Sequence, residues 1–195
     1  SITGANRLGS NSLTECLVFG AAAARHAMGY SKGSSNTNEK ALVAQCEEEA
    51  GRVANLRGRK KGGEKISAIR RELNNVMEAS CGVYREQTSM QAGVIATAQL
   101  RGRVADLRLE DSSKVFNTEL ITAMELQNMV EVAETIAVSA AHRKESRGAH
   151  TCKDFKTRDD QNYLYHTMTH HDPAGPRLGK KAVVLGKWVP EERKY

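Results

Sequence analysis

Thr3-Gly4-Ala5-Asn6-Arg7-Leu8-Gly9-Ser10-Asn11-Ser12-Leu13 is a turn that runs straight into a helix. Gly4, Gly9 and Asn6 permit a tight, backbone-exposed approach. Ser12, followed three residues later by Glu15, has the spacing of a capping box, in which hydroxyl and carboxylate each satisfy a free backbone N–H. Leu13, Leu17, Val18 and Ala21, with small residues on to Ala24, then suit a helix buried against something larger. Arg7 therefore stands just ahead of a helix N-terminus, where free N–H groups and partial positive charge favour an anion or an electron-rich ring edge. A guanidinium is always charged and grips a carboxylate through two parallel hydrogen bonds. The spacing is compatible with an anion site and equally with a solvated arginine behind an ordinary capped helix.

Working outward, the 195 residues carry a formal charge of +6, 39% hydrophobic and only 5% aromatic residues, enough for a modest core. The chain opens on Ser1 and goes directly into the turn, so we expect the C-terminal part of a longer polypeptide. The longest small-apolar run, Cys16 to Ala24, falls far short of the ~20 residues that span a bilayer. Cys16, Cys46, Cys81 and Cys152 show no C-x-x-C pair, which favours free thiols over a disulfide framework or a metal knuckle. The six histidines make no helical metal pair, and the adjacent His170-His171 suit a surface loop. Asp159-Asp160-Gln161-Asn162 lacks the alternating spacing of a calcium loop; a helix start or an ion pair with Arg158 fits better. No metal site is expected. The basic run Arg57-Gly58-Arg59-Lys60-Lys61 lacks interleaved aromatics that stack bases, so a solvated interhelical loop is expected and nucleic acid is not.

Gly29 to Asn38 is Gly/Ser/Asn-rich and marks a linker. Beyond it four stretches carry apolar residues at three- and four-residue steps: Glu39 to Leu56, Glu64 to Ala79, Ser89 to Leu107 and Asn117 to Arg143. Short connections favour antiparallel packing, and the methionines suit core filling. Gly148 is placed as a left-handed cap closing the last helix, in Glu145-Ser146-Arg147-Gly148-Ala149-His150; Arg147 and His150 are weighed as ligand contacts against a capping and docking corner, which is preferred. Tyr163 to Met168 suits a short strand or helical turn. Asp172-Pro173-Ala174-Gly175-Pro176 is a turn cluster, and Lys181 to Leu185 is expected as a strand ending at Trp188.

The opening run, with Val18-Phe19-Gly20, resembles the late flavin- and substrate-binding segment of the fumarate reductase and succinate dehydrogenase flavoprotein subunits. The resemblance continues through Ser112-Ser113-Lys114-Val115-Phe116-Asn117-Thr118-Glu119-Leu120, Lys144-Glu145-Ser146-Arg147-Gly148-Ala149-His150, Arg158-Asp159-Asp160-Gln161-Asn162 and the tail Pro190 to Tyr195. It implies a mainly α chain: the end of an FAD-binding α/β domain (residues 1–29, turn plus helix), a linker (30–38), an antiparallel helical bundle (39–150) and a small irregular α+β tail (151–195). It further implies succinate–fumarate interconversion on FAD, with electrons exchanged through an iron–sulfur subunit. Arg7 would bind a substrate carboxylate, and Ser10, Asn11, Ser12 and Leu13 would border the flavin, with Ser12 and Leu13 at its pyrimidine edge. No catalytic residue is expected here, since the family's proton-donating arginine and flavin-linking histidine motif find no match; the chain by itself is expected to be inactive. Attachment would be peripheral, through anchor subunits, on the cytoplasmic face of the plasma membrane or the matrix side of the mitochondrial inner membrane. Thr3 and Ala21 stand where members of the family often have His and Arg, which leaves the subfamily open. L-aspartate oxidase is a related alternative, and a non-catalytic helical docking piece is another.

Overall fold

The computed structural model describes residues 11–33, 38–59, 62–187 and 189–191. The contacts divide the chain into two compact units, Ser1–Lys60 and Lys61–Tyr195.

The first unit holds α1 (Asn11–Gly33) and α2 (Glu39–Gly58). Helix α1 begins at Asn11, so Ser12 sits inside the first turn and is not the N-cap that the capping box requires. It also continues through Gly29–Gly33, which shortens the expected linker: small polar residues tolerate a helix that has already been nucleated. Asn38 caps α2, its side-chain oxygen accepting the Ala41 N–H at 3.3 Å. None of the described α1 side chains is buried, and Leu13 (77%) and Leu17 (76%) face water, against the expectation of a covered helix. Most of the expected inward stripe of α2 is exposed as well, Leu42 and Val43 included, while Leu56 at its end is buried.

The second unit is built on α3 (Ile66–Cys81), α4 (Gln87–Val104) and α5 (Thr118–His142), each packed against the other two. Their buried positions repeat at steps of three and four. They are Ile66, Ile69, Leu73 and Ser80 on α3; Met90, Gly93, Thr97, Leu100 and Val104 on α4; and Ala123, Leu126, Val130, Ala133, Ala137 and Ala140 on α5, where Glu134 beside the seam is buried too. That spacing aligns a narrow seam along each helix, as in coiled-coil packing. Two short parallel ladders fix the helix directions. Strand β1 (Glu64–Lys65), ahead of α3, pairs with β3 (Leu107–Arg108), after α4; β2 (Tyr84–Arg85), between α3 and α4, pairs with β4 (Thr151–Cys152), after α5. Each helix therefore runs antiparallel to its neighbour in sequence. The bundle has three helices at its core, where the hydrophobic pattern suggested four.

Gly93 shows how closely α3 and α4 approach. A Cβ there would lie 2.4 Å from both Cβ and Oγ of buried Ser80. Alanine in place of glycine favours a helix by about 1 kcal/mol, but this contact can be relieved only by separating the helices. Gly93→Ala is expected to destabilise the unit by about 1–3 kcal/mol, seen as a lower denaturation midpoint with unchanged helical circular dichroism; a gain in stability would refute the tight crossing.

After α5 the chain forms β4, the single turn α6 (Asp160–Tyr163) and an antiparallel hairpin, β5 (Tyr165–His170) with β6 (Arg177–Ala182). Strand β6 lies earlier than the expected Lys181–Leu185 because the Asp172–Pro176 turn and the cross-strand register choose it. Its own sequence, Arg-Leu-Gly-Lys-Lys-Ala, is too polar to announce a strand. His170 closes β5 and so is not in a loop. Gly148 does not cap α5, which already ends at His142. With φ of 62°, it leads a tight turn closed by Arg147 and His150, whose backbone groups bond at 2.9 and 3.1 Å.

Candidate functional site

The sequence directs attention to two places. At the first, Asn11, Ser12 and Leu13 form the first turn of α1, whereas Arg7 and Ser10 lie outside the described residues. No acidic residue occupies that first turn, so the partial positive charge of the helix end is not neutralised there. Ser12 is half-buried and Leu13 is open to solvent.

The second place is the corner where α5 ends. Glu145 is completely buried. Its Oε1 accepts from Arg143 (2.7 Å) and Arg147 (3.0 Å), and its Oε2 from Arg147 (3.0 Å) and from the Asp159 N–H (2.9 Å). Burial, the largest single influence, works to raise this carboxyl; the hydrogen bonds from Arg147, the Asp159 amide and Arg143 outweigh it and leave the group below its ordinary value. Arg147 goes on to Asp160 (2.6 Å), which also meets Arg158 (2.9 Å). Asp159 caps α6 by accepting the Asn162 N–H at 3.0 Å. The expected helix start and Arg158 ion pair are both present. Arg143 reaches the hairpin, donating to Thr167 Oγ1 at 2.8 Å and facing the rings of Tyr163 and Tyr165.

His150 belongs to the same corner. Arg85 donates to its Nδ1 at 2.9 Å while bonding the Cys81 and Gly82 carbonyls at the end of α3. Burial first, and the Arg85 charge second, hold the imidazole below its ordinary pKa, so it stays neutral and accepts. Asp154 in turn accepts the Gln87 N–H at 2.6 Å, at the start of α4. The tail thus ties together the end of α3, the start of α4 and the end of α5. Arg147 spends its hydrogen bonds inside the protein, and His150 takes Arg85 on Nδ1 while its buried Nε2 makes no hydrogen bond among the described residues; these contacts fit the docking-corner role preferred from sequence. Asp154 and Arg85 were missed there because their partners lie 67 and 65 residues away.

Other chemistry is sparse among the described residues. They contain no group of three or more His, Cys, Asp or Glu placed to hold a metal ion. The four cysteines are free, and no helix is long and apolar enough to cross a membrane. The pair between half-buried Arg101 and buried Glu134 (2.9 Å) is structural: Arg101 also bonds the Pro173 and Ala174 carbonyls, pinning the hairpin turn to α4.

Comparison with known proteins identifies the family. Residues 70–195 match the family described as fumarate reductase flavoprotein C-term. The fumarate reductase flavoprotein subunit of Haemophilus influenzae is 42% identical over 98% of this chain and 32% of its own length. The succinate dehydrogenase flavoprotein subunit of Coxiella burnetii is 37% identical over 88% of this chain and 29% of its own. Among solved structures, an Escherichia coli quinol fumarate reductase flavoprotein matches at 40% identity with a TM-score of 0.89, covering 96% of this chain and 32% of that one. The Mycobacterium smegmatis Sdh1 complex matches at 27% identity and a TM-score of 0.77, covering 90% of this chain and 30% of that one. The chain therefore spans about a third of the length of its curated relatives. It belongs to the family of fumarate reductase flavoprotein C-terminal regions.

Proposed function

We propose that this chain serves as the helical C-terminal part of an FAD-dependent succinate dehydrogenase or fumarate reductase flavoprotein. In this reading residues 1–29 complete the FAD-binding domain, 30–38 link it to the helical region of 39–150, and 151–195 form the tail. The observation that carries the reading is the Gly4–Leu13 run, in which Arg7 precedes α1 by four residues of sequence, ahead of a helix end with no acidic residue in its first turn. That end fits a flavin: its N–H groups and dipole suit the electron-rich edge of the ring. Bound FAD supplies the hydride chemistry. The chain's own residues bind and orient. Arg7 holds a carboxylate of succinate or fumarate in a bidentate fork, and Ser10, Asn11, Ser12 and Leu13 border the flavin. The exposed Leu13, Leu17, Val18 and Phe19 of α1 are covered by the remaining two-thirds of the flavoprotein.

An iron–sulfur subunit exchanges the electrons, and anchor subunits hold the assembly at the cytoplasmic face of the plasma membrane or the matrix face of the mitochondrial inner membrane. The tail corner maintains the shape of the bundle and takes no part in the chemistry.

The 195-residue chain alone is expected to retain no FAD after desalting and to show no succinate–fumarate turnover with an artificial electron carrier. Turnover by the isolated chain would sink the division of labour proposed here. A non-catalytic docking role would instead be favoured if the full-length polypeptide purified without flavin.

A further inference from the structure

The turn that leads into α5 has a feature that the flavin site does not use. Asn117 caps α5, its Oδ1 accepting the Leu120 N–H at 2.8 Å, and its Nδ2 donates to the Asp111 and Ser113 carbonyls at 3.1 and 3.2 Å. Glu119 accepts the N–H groups of Glu110 and Asp111 at 2.8 and 2.6 Å, and Asp111 takes both the N–H and the hydroxyl of Ser113. The loop 110–117 is thereby clamped by its own side chains. At its tip Phe116 has φ of 55°, the one positive φ at a non-glycine residue among those described, and it is 94% exposed.

That arrangement is costly twice. A bulky L-residue in the left-handed region is strained, and a whole aromatic ring is left in water. A cheaper structure was at hand. Phe116 precedes the cap and Ile121 is the fourth residue after it, the pair that would close a hydrophobic staple. The staple is not made: Phe116 points away, and Ile121 is 58% exposed. Val115 beside it is 70% exposed. Strain retained by a surrounding clamp points to a use for the strained residue.

We propose that Val115, Phe116 and Ile121 form a preorganised knuckle that inserts into the flavin-bearing portion of the same polypeptide. The proposal rests on the flavoprotein reading above. The occupant is chosen because the chain covers only 32% of its relatives' length, leaving a large intramolecular surface tethered at high effective concentration. A clamp that removes loop entropy before contact suits such a permanent contact.

The test uses the full-length flavoprotein with its partner subunits. Phe116 is replaced by p-benzoylphenylalanine and irradiated, and the crosslinked peptide is identified. Separately, Phe116→Asn keeps a residue that tolerates positive φ, so the loop survives while the ring is lost. Trypsin cleavage after the adjacent Lys114 reports whether the knuckle is covered. The expected results are a crosslink within the flavoprotein polypeptide, to a peptide outside the 195 residues, and cleavage about tenfold faster in Phe116→Asn than in wild type. A crosslink to another subunit, a crosslink to nothing, or unchanged cleavage overturns the knuckle. A wild-type polypeptide that carries no flavin overturns the flavoprotein reading itself, and the two failures are told apart by its absorbance.

Discussion

Arg7→Lys in the full-length flavoprotein is expected to lower succinate–fumarate turnover by about two orders of magnitude or more while leaving flavin content close to wild type. The charge is conserved, so attraction of a dianion to the site survives. The planar fork is not conserved: an ammonium is a point charge that meets a carboxylate through one hydrogen bond at a time. In the proposed site the fork fixes the angle of the substrate over the flavin, and misplacement by about an ångström is enough for a loss of that order. The same proposal gives the flavin to other groups, Ser10 to Leu13 and the end of α1, so its occupancy should not follow the rate. Flavin absorbance and turnover measured on one preparation separate the two. Unchanged turnover removes Arg7 from the site, and parallel loss of flavin and activity assigns it to cofactor binding instead.

The legible and illegible parts of this chain differ for physical reasons. Helices α3, α4 and α5 were each placed to within a few residues from apolar spacing, but their seams were only partly identified. On α4 the buried face includes Gly93 and Thr97, which no hydrophobic count selects, because close helix approach there needs a missing side chain. On α5 the apolar stripe read from the sequence takes in Ala133 and Ala137, which are buried, but also Met129 and Ile136, which are exposed, and it omits the buried Ala123. Helix α2 has a convincing apolar stripe that this chain leaves largely in water. Periodicity indicates that a face wants a neighbour without saying which polypeptide stretch supplies it.

Polar structure follows the same division. Asp159 as a cap and Arg158 with Asp160 were foreseeable because their partners are local in sequence. Gly148 suits either a helix end or a tight turn, and only the end of α5 at His142 decides between them. The links from Arg85 to His150 and from Asp154 to Gln87 join residues 65 and 67 positions apart and leave no local trace. The start of α1 just after the Gly/Asn-rich turn was legible because glycine and Asn punctuate a helix locally, while Arg7 itself lies outside the described residues. The strained Phe116 was invisible, its backbone angle being set by Asn117, Asp111 and Glu119 together.

Glu145→Gln should be the most damaging single change in the tail. The carboxylate is fully buried and stands between Arg143 and Arg147, whose side chains are 15% and 28% exposed. Removing its charge leaves the largely desolvated Arg143 guanidinium without its counter-ion and takes one of two from Arg147, and the amide can accept at only one of the two oxygens now in use. A loss of about 3 kcal/mol is expected, at the lower end of the range for a broken buried pair because Arg147 keeps Asp160 and some water. Exposed Glu131→Gln, with no such role, should change stability by less than about 0.5 kcal/mol. Acid provides an independent check. Glu145 titrates below its ordinary 4.5 in the fold, so its contribution is complete above that pH and is lost as pH falls through the lower folded value. His150 is held below its ordinary 6.5, so the unfolded chain takes up its proton first, and stability begins to fall as pH drops below 6.5. Wild-type protein should therefore weaken in two steps on acidification. Glu145→Gln should keep the upper step, to which His142 also contributes, and show a smaller lower step, since Glu64, Glu110, Asp111 and Asp159 are also held low, with the Asp159 amide exchanging faster at every pH. Equal acid profiles for the two proteins would place the stabilising charge elsewhere.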